Sequence, residues 1–203
     1  MTLARSLDIR AGVLIPVMTF CFITRNTVLN FYPYSPIAIP RTTKGLIAND
    51  GESLRLFWSG VEAIEEGLSN AIGIYIFSIR AGGGIIPWYV GKAEKQSFSK
   101  ECFQHHKLTH YNNAVVGRRG TPMLTFIPKL TKTDYFSSPN GKVQNDISTL
   151  ENMLIGTCLK KNRQLLNARD TKLYREMCVP GYLNSPKGGV PSNVREFKVL
   201  LGL

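Results

Sequence analysis

Little in this chain can hold a metal through thiolate or imidazole. It has four cysteines and three histidines among 203 residues. Cys21, Cys102, Cys158 and Cys178 form no C-x-x-C pair, and their spacing excludes both a zinc ribbon and a dense disulfide framework. Cys102 and Cys158 fall at apolar positions of helical patterns, so they read as buried thiols in a reducing, cytoplasmic setting. Membrane-spanning runs are missing too. The apolar stretch Ala11 to Ile23 is too short for a bilayer and Pro16 interrupts it, so no membrane partner is expected. Arg5 and Arg10 ahead of it imitate a signal peptide, but no small-x-small cleavage site follows. That stretch reads either as a buried strand or as an added N-terminus upstream of Met18. There is no internal repeat, low-complexity tract, zinc finger or separate recognition helix, which leaves homing or restriction specificity without support.

Acidic residues are also scarce, 14 against 25 lysines and arginines, for a net charge of +11 and a pI of about 9.7. The imbalance is local. Residues 51–91 carry two basic and four acidic residues, whereas 92–141 and 142–203 each carry a net +5. A basic surface on a folded body favours a polyanion, most often nucleic acid. Hydrophobic content of 43% and charged content of 19% describe that folded body. At this length the chain reads as an N-terminal extension with a proline-rich arm, 1–49, followed by one domain, 50–203.

Two apolar, β-rich runs stand at the centre, Ile72 to Ile79 and Ile85 to Val90. Ala81-Gly82-Gly83-Gly84 joins them as a hairpin, with a connection longer than a two-residue primed turn. Pro33, Pro36 and Pro40 make residues 31–50 an extended arm in which sheet pairing is broken up. Asp50 or Ser53 caps a packing helix that runs to about Leu68. A helix from about Ser97 to Tyr111 follows the hairpin, placing Phe98, Cys102 and His105 or His106 on one face. Pro122 to Pro128 forms a third strand, residues 131–145 a surface loop, and Ser148 to about Lys161 a helix with Leu150, Met153, Leu154, Thr157 and Cys158 on one side. Tyr174 to Val179 reads as a short strand or helix. Ser192 caps a closing helix that carries Val194, Phe197, Leu200 and Leu201.

Each hairpin strand has a tyrosine beside a glycine, Gly73-Ile74-Tyr75 and Tyr89-Val90-Gly91. The pair resembles the motif of the GIY-YIG nuclease superfamily, with Val90 in place of isoleucine, and the resemblance covers roughly residues 68–170. It implies an α+β fold, a small three-stranded antiparallel sheet with helices packed around it. It also implies metal-dependent hydrolysis of phosphodiester bonds, in DNA ahead of RNA, with one Mg2+ or Mn2+. Leu150-Glu151-Asn152 matches the metal-glutamate helix, and Leu165-Leu166-Asn167 the asparagine segment. Tyr75, Tyr89, His105, His106 and Asn167 are the catalytic candidates that follow, and Glu151 is the metal ligand. Lys92, Lys95, Lys107, Arg118 and Arg119 are the candidates for contact with nucleic acid.

The family helix carries an arginine ten to twelve residues beyond the second tyrosine. Here that stretch is Ser99-Lys100-Glu101-Cys102. Glu101 occupies the expected face. Lys100 is the candidate substitute, but it lies about 100° away around a helix and lacks a bidentate fork. Two alternatives stay open beside the endonuclease: a non-catalytic nucleic-acid-binding module on the same scaffold, and an interaction protein whose arm, Tyr32 to Arg41, docks a partner. Single residues have plainer readings as well. Ser148-x-x-Glu151 is a capping box, Asn167 a helix cap, and the tyrosines core residues.

Overall fold

A computed structural model describes residues 30–167, 171–185 and 187–203. The readings of residues 1–24 and of Cys21 lie outside them. Four strands form one antiparallel sheet: β1 Ile37–Ala38, β2 Gly73–Ala81, β3 Gly84–Ala93 and β4 Thr121–Pro128, in the order β1-β4-β2-β3. The three-stranded expectation is corrected by the arm. Its prolines do not stop it pairing, because they alternate with residues whose amides reach the edge of β4. Tyr32, Tyr34 and Ile39 donate to the carbonyls of Pro128, Phe126 and Pro122 at 3.2, 2.9 and 2.8 Å, and Ile37 and Ala38 pair with Leu124 and Met123.

The hairpin connection is shorter than expected. Ala81 pairs with Gly84, so only Gly82 and Gly83 turn the chain. The irregularity sits inside the ladder instead: Phe77 pairs with Tyr89 and Ser78 with Pro87, which leaves Trp88 as an extra residue in β3.

Helices cover both faces. On one lie α1 Gly51–Ile64, α2 Phe98–Glu101 and α3 His105–Val115, sealing a core that includes Phe57, Val61, Tyr75, Phe77, Phe98, Cys102, Tyr111 and Phe126. On the other, α4 Asn145–Lys161 packs Ile147, Ile155, Cys158 and Leu159 against Ile72, Ile74 and Val90. Asp50 caps α1 by accepting from the Ser53 amide at 2.9 Å. The short helices α5 Thr171–Glu176 and α6 Ser192–Leu200 follow.

Several helix boundaries move, with consequences for the site. The single helix expected over 97–111 is two, broken at Cys102 to Gln104. Helix α4 begins at Asn145, so Ser148 is no N-cap and Glu151 lies in the second turn, outside any capping box. Its buried side is rotated from the expected one, and Met153 is 65% exposed. Helix α6 buries none of its apolar residues, and Ser192 makes no side-chain cap.

Candidate active site

The two motif strands bring their tyrosines to one face. Tyr75 pairs with Gly91 and Phe77 with Tyr89, and side chains opposite one another in register share a side. The Tyr75 ring lies across Gly91, where an added Cβ would collide with its Cζ and hydroxyl. Gly73 is equally constrained, since a Cβ there would strike the Ile127 carbonyl of β4. Both motif glycines therefore have a packing reason. The rings of Tyr75 and Tyr89 stand 6.4 Å apart.

Lys107 completes this side. From the first turn of α3 its Nζ donates to the Tyr89 hydroxyl at 2.8 Å and lies 3.4 Å from a Glu101 carboxylate oxygen. The ammonium also faces the rings of Tyr89 and Tyr75, at 5.2 and 5.9 Å from their centroids. Burial presses its pKa down, but the Tyr89 oxygen and Glu101 outweigh burial, so the pKa is raised. His110, one turn on, stacks on the Tyr89 ring at 5.0 Å and 14°. Burial first, then Lys107 and His106, hold its pKa below the ordinary histidine value, leaving a neutral imidazole at pH 7.

Around the edge of β3, on the α4 side, Lys92 plays a parallel part. Its Nζ donates to the Ser148 hydroxyl at 2.7 Å and pairs with Glu94 at 3.2 Å and Glu151 at 3.6 Å. Burial raises the Glu151 pKa, with Lys92 and Lys107 opposing, so Glu151 lies within the field of both lysines. Asn167 holds the strand between them. Its Oδ1 accepts from the Val90 amide at 2.9 Å and its Nδ2 donates to the Val90 carbonyl at 2.7 Å. With Leu166 donating to the Trp88 carbonyl at 2.8 Å, the 166–167 segment satisfies the free edge of β3.

The remaining candidates stand apart from this cluster. Lys100, Lys95, His105, His106 and Arg119 are exposed. Arg118 lies over the Trp88 ring at 4.1 Å and donates to the Asn113 and Ala114 carbonyls near the end of α3. The Tyr75 hydroxyl is fully buried beside that of Tyr111, and neither makes a hydrogen bond of good geometry. Burial accordingly pushes the Tyr75 pKa well up.

Sequence reasoning gave Lys107 only a contact with nucleic acid and missed His110. A signal was present. Lys107, Tyr111, Ala114 and Val115 fall at i, i+4, i+7 and i+8, one inward stripe in which the lysine replaces an apolar residue.

Among the described residues, no three His, Cys, Asp or Glu side chains form a ligand cluster. The donors present fit a divalent ion in one way. Mg2+ or Mn2+ takes hard oxygen ligands, keeps several waters and needs one or two carboxylates, and Glu151 is a carboxylate that would serve as one of them. No helix among the described residues is long and apolar enough to cross a membrane. Compared with known proteins, the chain matches no family model, no curated protein and no solved structure.

Proposed function

We propose that this protein is a metal-dependent endonuclease of GIY-YIG type that hydrolyses phosphodiester bonds in DNA, and that Lys107 takes the part of the absent helix arginine. The observation that carries this reading is the buried Lys107 ammonium 2.8 Å from the Tyr89 hydroxyl, within the field of Glu151. The Gly73-Ile74-Tyr75 and Tyr89-Val90-Gly91 tripeptides and the basic flank support it.

In this mechanism a water oxygen forms the new bond to phosphorus and gives its proton to neutral His110. The ester P–O bond breaks, and its electron pair leaves with the departing oxygen. Because Lys107 donates into the Tyr89 oxygen, the hydroxyl proton of Tyr89 is free to pass to that leaving group. The ammonium then stabilises the phenolate left behind. Asn167 acts as a positioning residue through Val90. Glu151 would hold the divalent ion, which when bound polarises the phosphate and stabilises the leaving oxygen. The reading includes a reducing, cytoplasmic setting, supported by free thiols at Cys102, Cys158 and Cys178.

A nicking assay on supercoiled plasmid with Mg2+ or Mn2+ tests it. Cleavage should fall about 100-fold or more in Tyr89→Phe and Glu151→Gln. Activity surviving both substitutions sinks the assignment. One observation favours the second reading, a binding module without turnover. Glu101 sits 3.4 Å from Lys107 and competes with a phosphate for it. That reading expects binding that weakens steeply with salt, and no nicking.

A further inference from the structure

A second cleft lies at the opposite edge of the sheet, where the arm runs along β4. It measures about 650 Å3 and shares no lining residue with the Tyr89–Lys107 cluster. Tyr32 and Tyr34, two residues apart on an extended segment, present their rings together, edge to face at 5.3 Å and 80°. Phe136 adds a third ring 6.2 Å from Tyr34.

The charge here opposes that of the molecule. The lining includes Glu65, Glu66 and Asp134 and no lysine or arginine, on a chain of net charge +11. Among the described residues none of the three carboxylates is in an ion pair. Glu65 also caps the C-terminal end of α1, whose last turn has no basic residue to offset the helix dipole. Ring faces, carboxylates and a helix C-terminus all favour a cation. The rings select a flat, weakly hydrated one over a hydrated metal ion.

We propose that this cleft receives an arginine side chain from an extended segment of a partner protein, its guanidinium stacked on Tyr32 or Tyr34 and paired with Glu65 or Glu66. The burial that pushes the Tyr34 pKa up to about 12, with Glu65 next in effect, is consistent with a phenol that stays neutral beside those acids. This site is independent of nuclease activity.

The test uses the full chain and three dye-labelled peptides of alternating glycine with arginine, lysine or citrulline, read by fluorescence anisotropy at low salt. The basic peptides are repelled by the molecule as a whole, so attachment reports an acidic site. The arginine peptide should bind saturably, the lysine peptide more weakly and the citrulline peptide not at all. The double substitution Glu65→Gln with Glu66→Gln, and separately Tyr32→Ala, should each weaken the arginine peptide about tenfold or more. Tyr32→Phe should keep the affinity, which separates loss of the ring from loss of the fold. Equal binding of citrulline and arginine peptides overturns the proposal. So does unchanged affinity in the Glu65/Glu66 variant, or no saturable binding of the arginine peptide.

Discussion

Lys92 and Lys107 make an instructive pair. Lys92 projects from the edge strand β3 towards α4, Lys107 reaches the other face of that strand from α3, and both donate to a hydroxyl at 2.7–2.8 Å. Their surroundings differ. Lys92 bridges two carboxylates, so its group carries a net negative charge, and its side chain is 26% exposed. Lys107 has one carboxylate and two aromatic faces and is only 10% exposed. A site with surplus carboxylate favours a cation, whereas a buried ammonium with a single counter-charge favours an anion. Two identical side chains thus divide the electrostatic work of one strand.

The comparison breaks most severely at Lys107. Lys107→Met should leave the largely buried Glu101 without a counter-charge, with only Gln96 donating to it, and destabilise the fold by about 3–5 kcal/mol, measured by urea unfolding. Adding Glu101→Gln should recover much of that loss, because the buried charge goes with its partner. Glu101→Arg, the change that the family pattern suggests as a repair, should instead destabilise, since two cations would then face Tyr89.

Asn167→Ala removes the clasp that serves both lysines. Leaving the Val90 amide and carbonyl unpaired should cost about 1–3 kcal/mol. Hydrogen exchange at Val90 should speed up, while α1 remains protected.

Lys92→Met sharpens the contrast. It should cost about 1 kcal/mol, less than Lys107→Met, because the group is more exposed. It should also tighten Mn2+ binding, read by calorimetry, since Glu94 and Glu151 lose their internal cation. Unchanged Mn2+ affinity would argue against Glu151 as the ligand.

The smallest effect concerns pH. A His110 pKa held below the unfolded value contributes stability that is present above about 6.5 and lost as pH falls through the folded pKa. His110→Phe keeps the ring stack on Tyr89 and should flatten that acid limb of the stability profile. Lys107 acts at the other end. Its raised pKa gives stability fully present below about 10.5 and lost as pH rises through the folded value, and Lys107→Met should abolish that alkaline limb.

Much of the framework was legible residue by residue. Two apolar, β-rich runs and a glycine cluster announce the hairpin, and the prolines of the arm announce extended chain. What proline density could not tell is that Tyr32, Tyr34 and Ile39 keep free amides on the side facing β4, so the arm becomes the fourth strand. The site was less legible. Glu151 and the two tyrosines stand out through motif and spacing, but a lysine on a helix reads as solvated because most are.

By itself, the sequence determined the hairpin, the tyrosine two residues from a glycine in each of its strands and the basic bias, since these depend on local pattern and composition. The tertiary structure alone decided which cation faces Tyr89. Helix α2 ends after one turn because Phe98 and Cys102 are drawn into the core, and α3 restarts at His105 with Tyr111, Ala114 and Val115 turned inward. That break turns Lys107 to the sheet and leaves Lys100, His105 and His106 in water. A local pattern sets which residues share a helix face, but where one helix gives way to another is decided by the burial that both must reach.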